Sequence, residues 1–468
     1  MPSNKLFTLF QSLTDSDLRA LKQFVRSPFH NQRQDVVLLF DALRAACFSK
    51  LTEEDLYRVV YPDSPFNKKA LAYVMNYLMQ AIEDYFAVAA LQKQKAKREL
   101  WIARAALEHG QKNIFKQKIK KAKKIIEGQA LDNLEAQHLK YQLEMELYNL
   151  KKNEARGADM DLKKPTAHLD VFLIGAKLRQ GCLLLAHQNV LKVDYEHDLL
   201  EALLQYLEAP ERQHLLGLPV IALYHHSYKA LKEEKAIYFE QLKTGLAKHR
   251  DCFTLSELKD FHAIGLNFCI KQINKGKSEY VRELFEWYRQ ALQEGLLLEH
   301  GVLSPVHYKN IAASGLGLKE FEWVASFLQE YKSRIEPKHR ELNFNYNMAK
   351  LYYEKGDFGQ AMQLLQVVKY DDSLPNLTSK ILLMKIYYEL EEFTALESYL
   401  RSFEGSVRRQ RKLGYHKENY LNLTSLMYKL LKLNKFDKSA VQKLRSVILN
   451  TQTLPEKKWL LSRIAELV

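Results

Sequence analysis

The chain has 468 residues and a formal net charge of +14, from 70 Lys and Arg against 56 Asp and Glu. Its 17 glycines and 11 prolines are each about half of the average usage of ~7% and ~5%. Strands are joined by turns that need these residues, so the composition excludes a β-rich fold. With 47% hydrophobic residues the chain is also too apolar for wholesale disorder. We therefore expect an all-α protein.

The cysteines and the N-terminus indicate a cytoplasmic location. Cys47, Cys182, Cys252 and Cys269 are scattered without a CxxC spacing, which is typical of reduced thiols rather than of a disulfide framework or a zinc site. The first residues lack the basic region and apolar run of a secretory signal. The longest apolar stretches fall well short of the ~18 residues that a membrane span needs. We expect a cytoplasmic protein without a membrane partner.

The N-terminal segment, residues 1–90, contains an internal duplication. The matched segments are Leu13–Leu18 with Leu51–Leu56, and Ser27–Phe29 with Ser64–Phe66. Each copy predicts a helix capped by Thr14 or Thr52, with an acidic residue three positions later, and then a second helix that begins at the Ser-Pro pair. Two similar caps that arose by chance are the alternative. We interpret the segment as two related helical hairpins packed in a small bundle.

A second repetition lies in the C-terminal half. Asn347–Ala361 is followed 35 residues later by the similar segment Leu382–Leu396, and Ala312–Leu328 precedes it by 37 residues. The pattern places a small residue and an aromatic on one helix, a glycine turn with an aromatic after it, and a small residue on the next helix. The residues that supply it are Ala349, Tyr352, Gly356, Phe358 and Ala361. This resembles the tetratricopeptide repeat, a helix-turn-helix unit of ~34 residues.

The resemblance covers residues 305–405, and hairpin-like degenerate copies extend it over residues 100–468. The positions that depart from the family pattern are Gly315, Asn345, Met384 and Leu396. The resemblance implies a right-handed α-solenoid of antiparallel helical hairpins behind the N-terminal bundle. The predicted domains are the bundle (residues 1–90), degenerate hairpin repeats (91–300), and tetratricopeptide-like repeats with C-terminal capping helices (301–468).

One stripe on the first helix of each repeat is the candidate peptide-binding groove, because in tetratricopeptide proteins this stripe lines the concave face. Its residues are Asn343, Tyr346, Lys350 and Tyr353, followed 35 residues on by Thr378, Ile381, Lys385 and Tyr388. Lys350 and Lys385 would offer ammonium groups to an acidic side chain or a C-terminal carboxylate. Tyr353 and Tyr388 would supply flat area at low entropy cost. A tyrosine that caps the core is the alternative for any single ring.

Basic segments offer a second candidate surface. Five lysines recur at steps of three and four residues and would form one stripe on a helix: Lys112, Lys116, Lys120, Lys123 and Lys124. Arg408–Lys412 is a compact basic run. Such a stripe is the electrostatic footprint of nucleic-acid binding, but it is also typical of a solvated helix face or of a surface for an acidic protein. We favour the solvated face.

Motifs for catalysis or metal binding are absent: HExxH, GxSxG, GxxxxGK[ST] and GxGxxG after a strand do not occur. The acid and histidine cluster at Asp194–Asp198 is interpreted as a solvated helix start rather than a metal site. We predict no cofactor and a non-enzymatic scaffold that binds a peptide or protein surface, with an acidic partner left open. The alternative is a nucleic-acid-associated regulator that uses Lys112–Lys124 and Arg408–Lys412. The sequence leaves self-association open.

Overall fold

The computed structural model describes residues 5–45, 52–130, 132–154, 161–191, 193–196, 198–366, 374–409, 416–434 and 436–467. These residues are overwhelmingly helical, which confirms the all-α expectation. Within them, strand structure is confined to β1 (Leu298–Glu299) and β2 (Val302–Leu303), which pair antiparallel. The chain forms two units. The first holds Met1–Gln180, His197–Tyr224 and Asp251–Phe253, and the second holds Gly181–Glu196, His225–Arg250 and Thr254–Val468.

The helices follow one another through short connections. The earlier ones are α1 (Lys5–Ser12), α2 (Asp15–Val25), α3 (Gln34–Ala45), α4 (Glu53–Val60), α5 (Lys68–Lys93), α6 (Lys95–Glu108), α7 (Lys112–Glu127), α8 (Leu134–Glu154), α9 (Lys163–Leu191), α10 (Asp198–Glu208), α11 (Pro219–Glu233) and α12 (Ala236–His249). The later ones are α13 (Leu255–Asn274), α14 (Tyr280–Gln293), α15 (Pro305–Gly317), α16 (Phe321–Tyr331), α17 (Pro337–Lys355), α18 (Phe358–Gln366), α19 (Leu374–Glu389), α20 (Phe393–Arg409), α21 (His416–Leu431), α22 (Lys438–Asn450) and α23 (Lys457–Ala465). Short 3₁₀ segments lie at Pro210–Gly217, Arg250–Cys252 and Lys332–Arg334. The predicted division at residues 90 and 300 stays a prediction.

The N-terminal helices α1–α5 share one hydrophobic core, and both predicted capping boxes are present. Thr14 accepts a hydrogen bond from the backbone N–H of Asp17, whose carboxylate accepts one from the Thr14 N–H. Thr52 and Asp55 form the same reciprocal pair at the start of α4. Each box satisfies two N–H groups that a helix start would leave unpaired. The matched caps therefore start α2 and α4 in the same way.

The predicted helix starts at the two Ser-Pro pairs are wrong. The helix after the first pair begins at Gln34, and the helix after the second begins at Lys68. Asn31 explains the first delay, because its side chain donates hydrogen bonds to the carbonyls of Val25 and Arg33 and so closes a turn there. Asn67 explains the second, because its side chain accepts from two N–H groups in the first turn of α5. At the start of α5, an asparagine N-cap thus replaces the expected serine cap.

Successive hairpins of the second unit are closed by the same turn. At the end of α17, Gly356 takes a left-handed backbone conformation (φ 83°), and the N–H groups of Gly356 and Asp357 bond to the carbonyls of Tyr353 and Tyr352. Left-handed residues in matching turns follow α13, α15 and α19: Gly276 (φ 89°), Lys319 (φ 60°) and Glu391 (φ 59°). This is a common way to end a helix. The hairpin geometry therefore recurs even where the turn lacks glycine.

Close helix contacts hold these hairpins together. The helix pairs α15–α16, α17–α18 and α19–α20 pack against each other, and α17 also contacts both α15 and α19. Ala349 and Ala361 are fully buried between α17 and α18, as the repeat pattern predicts for its small residues. Gly315 departs from that pattern. Its lack of a side chain lets α16 approach α15 closely, because a Cβ at this position would lie 2.5 Å from Val324 Cγ2.

The cysteines that the structure describes are free thiols. Cys182 and Cys269 are buried and Cys252 is half-buried, while Cys47 lies outside the described residues. Burial raises the pKa of the Cys269 thiol to about 12. In the described ranges, no helix combines the length and apolar character needed to cross a bilayer.

Candidate functional site

The eight predicted groove residues lie on two neighbouring helices, four on α17 and four on α19. We call them the stripe: Asn343, Tyr346, Lys350, Tyr353, Thr378, Ile381, Lys385 and Tyr388. Their spacing of three and four residues places each set of four on one helix face. All are buried or half-buried, and Ile381 is part of the core with 5% of its surface exposed. None of the eight side chains is therefore fully exposed.

The C-terminal helix α23 contacts the stripe. Lys385 Nζ lies 2.8 Å from Glu456 Oε2, at the start of α23. The same ammonium group lies 4.7 Å from the ring centre of Tyr353 and 5.7 Å from that of Trp459. Tyr388 meets the Trp459 ring edge-on, with centroids 5.3 Å apart. One lysine is thus held by a carboxylate and two aromatic faces.

Glu389 ties the three helices together. Its carboxylate accepts hydrogen bonds from the Tyr353 hydroxyl (3.0 Å), from Trp459 Nε1 (2.7 Å) and from Arg463 Nη1 (2.9 Å). Only 11% of this side chain is exposed, so three donors compensate a largely buried charge. Burial and the Glu389 charge raise the pKa of the Tyr353 hydroxyl well above its usual range. Tyr353 therefore acts as a donor in this network.

Three lysines, one from each of three successive first helices, form what we call the lysine cluster: Lys309 on α15, Lys350 on α17 and Lys385 on α19. Lys309 Nζ lies 5.4 Å from the ring centre of Tyr346. Burial lowers the pKa of Lys309, and the charge of Lys350 lowers it further. Burial also lowers the pKa of Lys350, while the charges of Glu354 and Glu456 oppose this shift and that of Lys385 adds to it. Among the described residues, neither Lys309 nor Lys350 forms an ion pair. The carboxylate of Glu456 acts on both of them and that of Glu354 acts on Lys350, so three lysines face two carboxylates.

The predicted basic stripe lies on α7, where some of the lysines are exposed and others form ion pairs with carboxylates of neighbouring helices. Lys112, Lys116, Lys120 and Lys124 are exposed. Lys123 pairs with Glu144 at 2.5 Å, and the interleaved Lys118 and Lys121 pair with the buried Glu99. In the second basic run, Arg408 pairs with Glu404 at 2.6 Å and Arg409 is exposed. Residues 410–412 lie outside the described residues.

The acid and histidine cluster at Asp194–Asp198 spans a segment without regular structure and the first residue of α10. Its histidine, His197, lies outside the described residues. Over the part of the chain that the structure describes, no three His, Cys, Asp or Glu side chains are grouped closely enough to hold a metal ion.

Five residues of this site were not predicted. They are Lys309, Glu389, Glu456, Trp459 and Arg463. The repeated Tyr-Tyr-Glu segment at Tyr387–Glu389 is a signal for Glu389, and the 37-residue offset from Tyr346 is a signal for Lys309. The residues of α23 carry no such signal, since they lie outside the repeats.

Comparisons with protein-family models, with curated proteins and with solved structures find no match to this chain.

Proposed function

We propose that the chain is a non-enzymatic cytoplasmic scaffold that binds an acidic segment of another protein on the stripe, in the concave face of a tetratricopeptide-like superhelix. The observation that carries the proposal is the lysine cluster. Three successive first helices each contribute one lysine to it, so the charge is a property of the repeated face. A continuous face of this kind suits an extended or helical protein segment.

The electrostatics of the cluster favour an anionic ligand. Burial disfavours the charged form of an amine, which is why the pKa values of Lys309 and Lys350 are lowered. A carboxylate beside them would stabilise the charged forms and would itself be held ionised. Glu456 already pairs with Lys385, and its charge opposes the lowering of the Lys309 and Lys350 pKa values. Aspartate and glutamate side chains of a partner therefore fit the remaining positive charge.

Charge reversal at the cluster tests the proposal. The full-length tagged protein would be purified from its native cells as the wild type, as Lys350→Glu, and as the control Lys338→Glu. Lys338 lies in the first turn of the same helix, with 70% of its side chain exposed. We expect Lys350→Glu to lose partners that the wild type and the control both retain, as identified by mass spectrometry. Identical partner sets for the two variants, with unchanged circular dichroism, would contradict the proposal.

The alternative function, nucleic-acid binding, is favoured by one observation: four exposed lysines follow one another on α7. If they grip phosphates, the affinity for duplex DNA or single-stranded RNA falls linearly with salt on a log–log plot. Lys116→Glu combined with Lys120→Glu would then abolish it. We expect only weak binding at low salt that is lost at physiological ionic strength. Sub-micromolar binding at physiological salt would favour the alternative.

A further inference from the structure

The face that we propose to bind a partner is already in contact with a segment of the same chain. Glu456 reaches the lysine cluster, and Trp459 packs on Tyr388 while its indole N–H donates to Glu389. Arg463 donates to the same carboxylate from the next turn of α23. These three residues are separated by three and four positions, so they share one face of α23. That face makes the contacts expected of a bound ligand.

On its own, α23 is a weak helix. It has nine residues, fewer than the ~12–15 at which an isolated helix becomes marginal. Its first turn holds Lys457 and Lys458, where the helix dipole favours acidic residues. Glu456, at the N-cap, has a left-handed backbone (φ 56°), and its side chain contacts Lys385 instead of capping the helix. Contacts with the rest of the second unit therefore maintain α23 as a helix.

We infer that α23 is a built-in ligand that competes for the stripe, and that the partner is an acidic-aromatic helix. Such a helix carries a glutamate or aspartate for the lysine cluster and an aromatic residue three positions later for Tyr388 and Glu389. This inference rests on the proposed function of the stripe and adds the chemistry of its ligand and the regulation of access to it. A partner binds by exchange with α23.

The apolar side of α23 indicates that a partner replaces α23 on the stripe, rather than binding after α23 has simply moved away. Trp459, Leu460 and Ile464 belong to the core of the second unit, with at most 8% of their surfaces exposed. Leaving these positions empty would expose apolar surface on both sides, so the displacing segment has to supply apolar side chains of its own. The tether gives α23 an effective concentration on the order of millimolar, against which a free ligand competes poorly.

A peptide added in trans to full-length variants tests the inference. The probe is a fluorescent peptide of residues 452–467, and the opened chain carries Glu456→Lys, which places a cation beside Lys385 without altering a core residue. The matched control chain carries Glu418→Lys, the same change of charge at an exposed residue in the first turn of α21. Hydrogen exchange of α23 amides reports opening, and fluorescence anisotropy reports binding.

Of the three chains, we expect only Glu456→Lys to show faster hydrogen exchange of the α23 amides. We also expect that chain to bind the peptide about tenfold or more tighter than the wild type or the control, because the tethered competitor is weakened. The peptide with its own Glu456→Lys change should bind none of the chains. The inference would be overturned if hydrogen exchange of the α23 amides were unchanged in Glu456→Lys. It would also be overturned if hydrogen exchange were faster but the peptide bound no more tightly. Either result leaves the Lys350-dependent capture of partners as a separate test, so failure of this inference and failure of the proposed function are distinguishable.

Discussion

Gly265→Ala gives a sharp test of how α13 and α14 pack. A Cβ at Gly265 would lie 2.5 Å from Cε2 and Cζ2 of Trp287 and 2.7 Å from its Nε1. The indole has little freedom to move, because it is 4% exposed and its Nε1 donates a 3.0 Å hydrogen bond to the His262 carbonyl. The added methyl group therefore has to displace a helix or break that bond.

Two effects of opposite sign determine how much Gly265→Ala changes the free energy of unfolding. Replacing a helical glycine by alanine favours the helix by about 1 kcal/mol. Forcing an extra methyl group into a packed core costs about 1–3 kcal/mol, and a contact as short as 2.5 Å places Gly265 at the upper end. We predict a net decrease of about 1–2 kcal/mol in the free energy of unfolding.

Gly405→Ala in α20 is the matched control. Its Cβ would meet only the flexible end of Arg409, with Nη1 at 3.4 Å, so the helix propensity dominates and stability should rise by about 0.5–1 kcal/mol. Urea unfolding followed by tryptophan fluorescence measures both variants. Equal stabilisation by the two substitutions would refute the packing that we describe for α13 and α14.

Three further predictions use the same urea assay. Gly356→Ala should lower stability by about 1 kcal/mol and Glu391→Gly should raise it by up to about 1 kcal/mol, since both turns need a left-handed residue; the same sign for both would contradict the repeated turn. Ala361→Trp should cost about 1–3 kcal/mol or more, and an unchanged midpoint would mean that the α17–α18 contact is misplaced. Burial lowers the pKa of His262 from 6.5 to about 4, so the unfolded chain binds the extra proton and stability falls as the pH drops through that window. His262→Gln should remove up to about 3 kcal/mol of that fall, and an identical pH profile would show that His262 is not buried in its neutral form.

Local signals predicted the two threonine caps and the small-residue contact between α17 and α18. Thr14 and Thr52 are each followed by an acidic residue three positions later, and a capping box needs nothing from the rest of the chain. Ala349 and Ala361 are recognisable because only small side chains fit where two helices approach closely. Such features depend on neighbours within one hairpin, which is why the sequence alone indicates them.

Features that depend on the folded environment escaped prediction. Lys319 and Glu391 occupy left-handed turn positions that the flanking helices impose on residues that ordinarily avoid them. The contact between Lys385 and Glu456 joins positions 71 residues apart, and no repeat period relates them. The stripe residues could therefore be placed on α17 and α19 from their spacing, whereas the contacts of Lys385 and Tyr388 with α23 could not.

Selection of ligands from a random peptide library tests the central claim most directly, because such a library offers acidic, basic and apolar segments to the stripe without favouring one. The bait is the full-length chain with Glu456→Lys, and the counter-selection uses the same chain with Lys350→Glu added. We predict enrichment of peptides with an acidic residue followed three positions later by an aromatic one, and loss of that enrichment with Lys350→Glu. Enrichment of basic peptides, or of the same motif by both baits, would contradict the assignment of the stripe as a surface for acidic segments.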